Sequence, residues 1–306
     1  MLSYIGYLHK VIFSENKMNK VRKAVIPVAG YGTRFLPYTK SVPKPMLPIL
    51  NVPAIQVIAE EAAKSGIEEI MFVVGQKKEI IESHFESFPE LEQKLEAGKK
   101  YEFLEAVKYP ETLAKVTFAV QKSQRGTADA VLTAKEFVGK EPFAVLFGDD
   151  VMYNEGRPVI GQLIDAYEKT GKTIVGCKQV PKKDVPKYAS CEFSEVDGRM
   201  YKMTRITEKP PIELVKSNLA PLGRYVLAPT MIKILENLKP GAGGEYQLTD
   251  GLDAEAKNNG AYAYDFEGVR YDMGDRLGFL KANVEYGLRD NKLHDDFLAY
   301  LKELVK

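Results

Sequence analysis

The sequence has little cysteine and histidine, no tryptophan and no long apolar run. Its 306 residues include only two cysteines, Cys177 and Cys191, and three histidines. Two cysteines are too few for a disulfide framework or a cysteine zinc site, so we expect both to be buried small apolar side chains. No apolar run approaches the roughly 20 residues that span a bilayer, and residues 1–20 lack a signal-peptide pattern. We therefore expect a cytoplasmic protein without a membrane partner.

The charges of the chain almost cancel. There are 43 Lys and Arg against 42 Asp and Glu, which leaves a net charge of +1. No overall field marks the protein as a binder of nucleic acid, so any anion site must be local. With 45% hydrophobic residues, the chain has ample material for a large core.

Apolar runs alternate with amphipathic helical patterns through the first two thirds of the chain. This alternation is typical of strands joined by crossover helices, and it predicts a doubly wound α/β fold with a mixed, mainly parallel sheet. The predicted strands are Lys23–Ala29, Glu69–Val74, Val116–Val120, Phe143–Phe147 and Thr173–Gln179. The predicted helices between them are Ala54–Ser65, Asp129–Phe137 and Val159–Thr170, at the three- and four-residue spacing of a buried helix face.

The remaining segments predict smaller additions to this core. The Glu- and Lys-rich stretch Pro89–Lys108 is typical of a solvated helical insertion. Three β patterns predict a small antiparallel elaboration at the sheet edge, namely Ser190–Glu195, Tyr201–Glu208 and Leu222–Leu227. Four C-terminal helices follow, over Thr230–Leu238, Gln247–Asn258, Leu277–Leu288 and Asp295–Val305. We predict an N-terminal extension over residues 1–20, one domain over 21–290 and a C-terminal helix over 291–306.

A glycine-rich loop, Gly30-Tyr31-Gly32-Thr33-Arg34, follows the first predicted strand. Two glycines at a strand end let backbone amides approach a ligand, and open α/β sheets bind ligands there. The loop does not fit the dinucleotide fingerprint, because Phe35 stands where the third glycine is needed. It does not fit the ATPase phosphate loop either, because Gly-Thr-Arg replaces Gly-Lys-Ser/Thr.

Two cations accompany this loop. Arg34 closes it, and Lys44 follows ten residues later among three prolines, which limit the entropy lost in holding its ammonium. Either cation alone is more typical of a solvated turn. Together with the glycines they predict an anion site.

Adjacent acids follow the apolar strand Phe143–Phe147. Gly148 separates that strand from Asp149 and Asp150. Carboxylates at a strand end are typical ligands of magnesium, which fills its other positions with water and phosphate oxygens. Since side chains alternate near a strand, only one of the two acids needs to face the cleft.

Several segments resemble the sugar-1-phosphate nucleotidylyltransferase family. The resemblance begins with Gly30–Pro37 and Lys44-Pro45-Met46-Leu47-Pro48 and covers residues 21 to about 290. It includes Phe147–Asp150, Glu208-Lys209-Pro210, Ser217–Ala220 with Gly223–Val226, and Gly241–Asp250. It implies a Rossmann-like nucleotidyltransferase domain, an enzyme, Mg²⁺ as cofactor, and UTP and glucose 1-phosphate as substrates.

The resemblance also implies a role for individual residues. Arg34, Lys44, Asp149 and Lys209 are the implied catalytic residues, and Asp149, with Asp272 from Tyr271-Asp272-Met273-Gly274, is the implied metal ligand set. The implied nucleotide-binding residues are Ala29, Gly30, Gly32, Thr33, Gln121 and Gly126, with Gln121 at the nucleobase. The implied sugar-binding residues are Ala189, Glu208 and Lys209.

The sequence departs from the usual uridylyl-transferring pattern at the base and the sugar. Gly126-Thr127-Ala128-Asp129-Ala130 replaces Gly-Leu-Gly-His-Ala, Pro45 replaces a glutamate, and Tyr188-Ala189 replaces Tyr-Gly. The alternatives are therefore the same chemistry with dTTP, ATP or another hexose 1-phosphate, or a non-catalytic module that binds sugar nucleotides. The apolar C-terminal helices predict a homo-oligomer, a dimer or a tetramer.

Overall fold

The computed structural model describes residues 20–75, 78–241 and 244–305. The strands are β1 (Lys23–Pro27), β2 (Pro48–Ile49), β3 (Val52–Pro53), β4 (Glu69–Val74), β5 (Lys115–Val120), β6 (Phe143–Leu146), β7 (Asp150–Tyr153), β8 (Thr173–Gln179), β9 (Ala189–Asp197), β10 (Met200–Glu208), β11 (Leu219–Leu227), β12 (Ala261–Asp265) and β13 (Val269–Asp272). The α-helices are α1 (Ala54–Lys64), α2 (Lys78–Phe85), α3 (Pro89–Ala97), α4 (Tyr101–Thr112), α5 (Thr127–Thr133), α6 (Lys135–Val138), α7 (Val159–Thr170), α8 (Thr230–Glu236), α9 (Leu248–Asn258), α10 (Arg276–Arg289) and α11 (His294–Leu304). The predicted extension over residues 1–20 falls almost entirely outside the described residues.

A nine-stranded sheet runs through the molecule in the order β5-β4-β1-β6-β11-β8-β12-β10-β9. β5, β4, β1 and β6 are parallel neighbours, and β8 and β12 are parallel to each other. Within this sheet, β11 and β10 run against the other strands. The predicted doubly wound, mixed and mainly parallel α/β fold is confirmed.

Helices cover both faces of the sheet because its central strands are apolar on both sides. In β1, Ala24 and Ile26 pack into one core cluster with α1 and α7, whereas Val25 packs into the other with α5, α8 and α9. Strands that are buried on both faces read as continuous apolar runs, which is why β1 and β6 were recognisable from sequence.

The prediction for Leu222–Leu227 was wrong in its position. We expected this strand at the sheet edge, but β11 lies near the centre, antiparallel to β6 on one side and to β8 on the other. Every residue of β11 is buried, as a central strand requires. The edge elaboration itself consists of β9 and β10, which pair over most of their length.

Three smaller differences concern segments that short patterns describe poorly. The predicted helix Asp129–Phe137 is two short helices, α5 and α6, which meet at Ala134. β12 was not predicted, because its Ala-Tyr-Ala-Tyr-Asp sequence has few aliphatic residues. Cys177 and Cys191 are both buried with their sulfurs 3.7 Å apart, so the expected burial of both side chains is confirmed. Over the described ranges, no helix combines the length and the apolarity that crossing a bilayer requires.

A separate two-stranded sheet positions the residues that follow Asp149. β7 pairs antiparallel with β13, and this register sets Asp150 opposite Asp272. α10 begins just after this pair, where the Asp275 carboxylate accepts hydrogen bonds from the amides of Leu277 and Gly278, both at 3.1 Å. Such a cap anchors the helix start and holds the turn that connects it to β13. The predicted division into an extension, a domain and a C-terminal helix stays a prediction.

Candidate active site

A cleft of about 510 Å³ opens at the carboxyl ends of β1 and β6, where the glycine-rich loop and Asp149 meet. This is where open α/β sheets bind their ligands. Most of the residues that the sequence predicted for the site line this one cleft: Ala29, Gly30, Arg34, Lys44, Gln121, Gly126, Asp149, Ala189, Glu208, Lys209 and Asp272. Gly32 and Thr33 lie beside the cleft but do not line it.

Gly32 has a packing role that explains why glycine stands there. Its backbone is left-handed, with φ of 63°, and an added Cβ would lie 2.8 Å from the Cβ of Lys44. Its carbonyl accepts a hydrogen bond from the Thr39 hydroxyl at 2.9 Å. A side chain at this position would push the Lys44 stem away from the cleft.

Lys44 faces the acidic loop that follows β6. Its Nζ lies 2.8 Å from Asp149 Oδ2, and its side chain is only 15% exposed. Arg34 enters the same region, where its guanidinium donates to the carbonyl of Gly274 at 3.2 Å. The two predicted cations and the predicted metal carboxylate therefore meet at one end of the cleft.

Gly274 lies beside the space between Lys44, Asp149 and Asp272. A Cβ at Gly274 would lie 2.8 Å from Asp272 Oδ1, 3.0 Å from Lys44 Nζ and 3.2 Å from Asp149 Oδ2. Two carboxylates, one from the loop after β6 and one from β13, thus face one small space. Mg²⁺ prefers one or two carboxylates and completes its octahedron with water and phosphate oxygens, so this pair fits it. The ranges that the structure describes contain no group of three or more His, Cys, Asp or Glu arranged to hold a metal.

The two adjacent acids have opposite electrostatic surroundings. Desolvation in the cleft favours the neutral form of Asp149, but the Lys44 ammonium outweighs it and lowers the pKa of Asp149 below its usual value. For Asp150, burial dominates and raises the pKa to about 6, although the guanidinium of Arg270 opposes this shift. The charged form, which a metal ligand needs, is therefore favoured at Asp149 and disfavoured at Asp150.

Arg270 is a site residue that the sequence did not reveal. Its Nε donates to Asp150 Oδ1 at 2.6 Å, and its terminal nitrogen lies 3.2 Å from Asp272 Oδ2. Its guanidinium also lies over the ring of Tyr188, 5.1 Å from the centroid. Arg270 and Asp272 occupy alternate positions of β13 and so share a face, which is the one sequence signal that could have found Arg270.

A buried ion pair holds the loop that contains Asp149 against the core. Arg224 on β11 is fully buried and lies 2.7 Å from Glu61 Oε2 on α1. The same guanidinium donates to the carbonyl of Asp150 at 2.7 Å, while Glu61 accepts a hydrogen bond from the amide of Ile160. Because every charge has several partners, the pair fixes the loop against the core.

Glu208 and Lys209 line the cleft where β10 ends. Glu208 Oε2 accepts a hydrogen bond from the Thr249 hydroxyl at 2.7 Å. Lys209 has a left-handed backbone with φ of 39°, and its amide donates to the carbonyl of Tyr188. Its ammonium is 3.8 Å from Glu208, and its side chain is 64% exposed. The lysine therefore presents a solvated cation at the cleft mouth.

Gln121 and Gly126 occupy a third part of the cleft wall. Gln121 is nearly buried, and its Nε2 donates to Asp129 Oδ2 at 2.8 Å and, more weakly, to the Gly126 carbonyl at 3.4 Å. An added Cβ at Gly126 would lie 2.4 Å from the carbonyl oxygen of Tyr246, so only glycine fits. Gly126 therefore packs directly against the backbone of Tyr246.

Two further polar groups of the wall were not predicted. Gln124 Nε2 donates to the carbonyl of Ala29 at 2.6 Å, which ties the segment after β5 to the glycine-rich loop. Thr249, which holds Glu208, comes from the first turn of α9. Neither residue belongs to a pattern that sequence spacing alone makes visible.

Comparison with known proteins agrees with this geometry. Residues 23–288 match the family model described as nucleotidyl transferase. A protein of Staphylococcus epidermidis called UTP--glucose-1-phosphate uridylyltransferase is 47% identical over 287 residues, which are 94% of this chain and 99% of the relative.

Solved structures are similar over nearly the whole fold. A UTP-bound UGPase from Acinetobacter baumannii is 36% identical with a TM-score of 0.85, covering 93% of this chain and 99% of that one. A UDP-glucose pyrophosphorylase complexed with UDP-glucose is 35% identical with a TM-score of 0.80, covering 88% of this chain and 100% of that one. The chain therefore belongs to the nucleotidyl transferase family and, within it, to the UTP–glucose-1-phosphate uridylyltransferases.

Proposed function

We infer that the protein transfers the uridylyl group of UTP to glucose 1-phosphate, which yields UDP-glucose and pyrophosphate. The single observation that carries this conclusion is one cleft lined by two groups of cations. Arg34 and Lys44 lie with Asp149 in one group, and Lys209 lies with Glu208 in the other. Two phosphorylated substrates need two such groups. The relatives with UTP and UDP-glucose support both substrates.

The chemistry that this arrangement supports is an in-line displacement. The phosphate of glucose 1-phosphate attacks the α-phosphorus of UTP, and pyrophosphate leaves. The nucleophile is already an anion, so no general base is required. Catalysis then depends on the positioning of two like-charged groups and on the neutralisation of their charge.

Each residue of the group around Lys44 has a role in this reaction. Arg34 and Lys44 bind the β- and γ-phosphates, which leave as pyrophosphate. We propose Mg²⁺ as the cofactor, held by Asp149 and Asp272, whose oxygens face the same space beside Gly274. A bound Mg²⁺ supplies charge neutralisation between phosphate oxygens.

Glu208 and Lys209 position the attacking phosphate and its sugar. Lys209 binds that phosphate with a solvated ammonium, and Glu208 accepts hydrogen bonds from sugar hydroxyls. Thr249 orients the Glu208 carboxylate through its 2.7 Å hydrogen bond. Ala189 lies opposite Glu208 in the pairing of β9 and β10 and forms part of the cleft wall. Gln121, and the backbone at Ala29, Gly30 and Gly126, line the side of the cleft that we assign to the nucleotide.

We propose that the active protein is a homo-oligomer in the cytoplasm. The support for assembly is an apolar face on α10, where Leu277 and Leu280 are 58% and 57% exposed. Single exposed leucines are common on monomers, but two on one helix face suit contact with another copy. Light scattering of the purified full chain measures its mass directly, and a monomer under assay conditions rules assembly out.

The reaction is tested by pyrophosphate release from a matrix of nucleoside triphosphates and sugar 1-phosphates with Mg²⁺. We expect the highest kcat/KM with UTP and glucose 1-phosphate, with UDP-glucose as the sugar product. Omission of Mg²⁺, with a chelator present, should abolish release. Higher kcat/KM with dTTP, ATP or another hexose 1-phosphate would reassign the substrates, and no release with any pair would overturn the enzymatic function.

A further inference from the structure

The contact between Gln121 and Asp129 determines which way the Gln121 amide points. Gln121 Nε2 lies 2.8 Å from Asp129 Oδ2 and 3.4 Å from the Gly126 carbonyl oxygen. Both partners are acceptors, so the atom that faces them must be the amino group of the amide. In the opposite orientation, the amide oxygen would face a carboxylate and a carbonyl.

Asp129 is itself held in place by Arg125. The guanidinium of Arg125 donates to Asp129 Oδ1 from Nε at 3.1 Å and from a terminal nitrogen at 2.6 Å. The two oxygens of Asp129 therefore have different partners: Oδ1 accepts hydrogen bonds from Arg125, and Oδ2 accepts one from Gln121. The carboxylate also lies in the first turn of α5, where a negative charge is favoured.

The amide oxygen of Gln121 is thereby left for a ligand. No donor to Gln121 Oε1 is found among residues 20–75, 78–241 and 244–305, and Gln121 is part of the cleft wall. A nearly buried amide oxygen without a donor costs free energy, which a donor on the ligand removes. The wall consequently presents a fixed acceptor, next to the Nε2 hydrogen that makes only the weak 3.4 Å contact with the Gly126 carbonyl.

We propose that Asp129 is a positioning residue that makes the cleft select nucleobases with an N–H at ring position 3. This inference rests on the proposed use of UTP and identifies how its base is chosen. Uracil has a donor at N3 flanked by carbonyl oxygens, so it can donate to Oε1 and accept from Nε2. Cytosine has an acceptor at N3 and an amino group at position 4, so it requires the opposite orientation of the amide, which Asp129 prevents. Thymine presents the same edge as uracil, so Asp129 does not separate dTTP from UTP.

The test is the ratio of kcat/KM for UTP to that for CTP, measured with glucose 1-phosphate. The wild-type protein should strongly prefer UTP. In Asp129→Asn, the new amide can accept from Nε2 or donate to Oε1, so both orientations of Gln121 become possible. We expect the ratio to fall by about tenfold or more, mainly through improved use of CTP, since one misplaced buried hydrogen bond has a cost of this size.

Two further variants keep the test decisive. Asp129→Ala removes the acceptor with a residue that favours α5, so a comparable fall in the ratio is expected. Arg125→Met removes the ion pair but leaves Oδ2 in place, so its ratio should stay within about threefold of the wild-type value. Melting temperatures of all variants establish that each one is folded.

The outcomes separate this inference from the proposed function. An unchanged ratio in both Asp129 variants would overturn the positioning role. So would a fall in Arg125→Met as large as that in Asp129→Asn, because the general order of the loop would then be responsible. A wild-type protein that makes UDP-glucose but uses CTP equally well overturns only the inference. A wild-type protein that does not use UTP at all overturns the proposed function.

Discussion

Lys44 Nζ lies 2.8 Å from Asp149 Oδ2, although the two residues are 105 positions apart in the chain. Lys44 comes from the turn after the glycine loop, and Asp149 comes from the loop after β6. The contact is possible because β1 and β6 are parallel neighbours whose carboxyl ends share one edge of the sheet. It joins the predicted phosphate-binding lysine to the predicted metal carboxylate.

Removal of either partner should nearly abolish turnover. For Lys44→Met and for Asp149→Asn, we expect kcat to fall by roughly 10²–10³ or more, since each removes a preorganised charge from the transferred phosphates. Pyrophosphate release at saturating substrates measures this loss. The matched control is Lys23→Met, which removes a similarly buried lysine paired with Glu141 at the other end of β1. Near-normal release by Lys44→Met would contradict the assigned role.

Gly274→Ala tests whether the space between the two carboxylates is used. The added methyl group would lie 2.8 Å from Asp272 Oδ1, 3.0 Å from Lys44 Nζ and 3.2 Å from Asp149 Oδ2. There it would displace any ion that these carboxylates bind. We expect kcat to fall by at least about tenfold and Mg²⁺ to bind more weakly by calorimetry, with little change in melting temperature. Gly156→Ala is the control, because its methyl group meets only Asn154, at 3.7 Å. Unaltered Mg²⁺ affinity in Gly274→Ala would place the metal elsewhere.

Lys209→Ala should act on one substrate only. The ammonium is 64% exposed and, among the described charges, pairs only with its neighbour Glu208, so its removal should not affect folding. We expect the KM for glucose 1-phosphate to rise about tenfold or more, while the KM for UTP stays near its original value. Lys216→Ala, at 67% exposure and paired with Glu192, removes a comparable surface lysine and should change neither constant. A rise confined to the KM for UTP would show that Lys209 serves the nucleotide.

The stability of the fold should depend on pH through His84. Its Nε2 lies 2.9 Å from Gln56 Oε1, and burial lowers the pKa of His84 below its ordinary value of about 6.5. As the pH falls through 6.5, the unfolded chain binds a proton that the folded protein resists, so the free energy of unfolding decreases. Above about pH 7.5, this residue should have no effect.

His84→Gln keeps a neutral donor for Gln56 at every pH. Between pH 7.5 and 5.5, its melting temperature should therefore fall less than that of the wild-type protein. The exposed His294, replaced in the same way, is the control for loss of a histidine. If the curves of His84→Gln and the wild-type protein remain parallel over this range, His84 does not contribute to the pH dependence.

Local sequence patterns predicted much of the fold, and together with the family resemblance they predicted eleven residues of the cleft wall. Continuous apolar runs located β1, β4, β6 and β8, because strands buried on both faces need apolar residues at every position. Glycines at a strand end, and acids after Phe143–Phe147, pointed to the carboxyl edge where ligands bind. These signals are local, so they are readable without a structure.

Other features depend on contacts between distant segments and had no local signal. β11 lies in the centre of the sheet because of its pairing with β6 and β8, which its own sequence does not reveal. Arg270 reaches the site because β13 pairs with β7, and this pairing sets Asp272 opposite Asp150. Gly274 matters only because three charged groups from separate elements converge on it.

The sequence by itself predicted the α/β architecture, candidate residues for binding phosphate and metal, and the kind of chemistry available to them. Tertiary structure alone decided that both adjacent acids line the cleft, that their pKa values shift in opposite directions, and in which orientation Gln121 is held. The physical reason is that charge and hydrogen-bond donors are properties of single residues. Burial, pKa and amide orientation are set by neighbours such as Lys44, Arg270 and Asp129, which folding brings in from other parts of the chain.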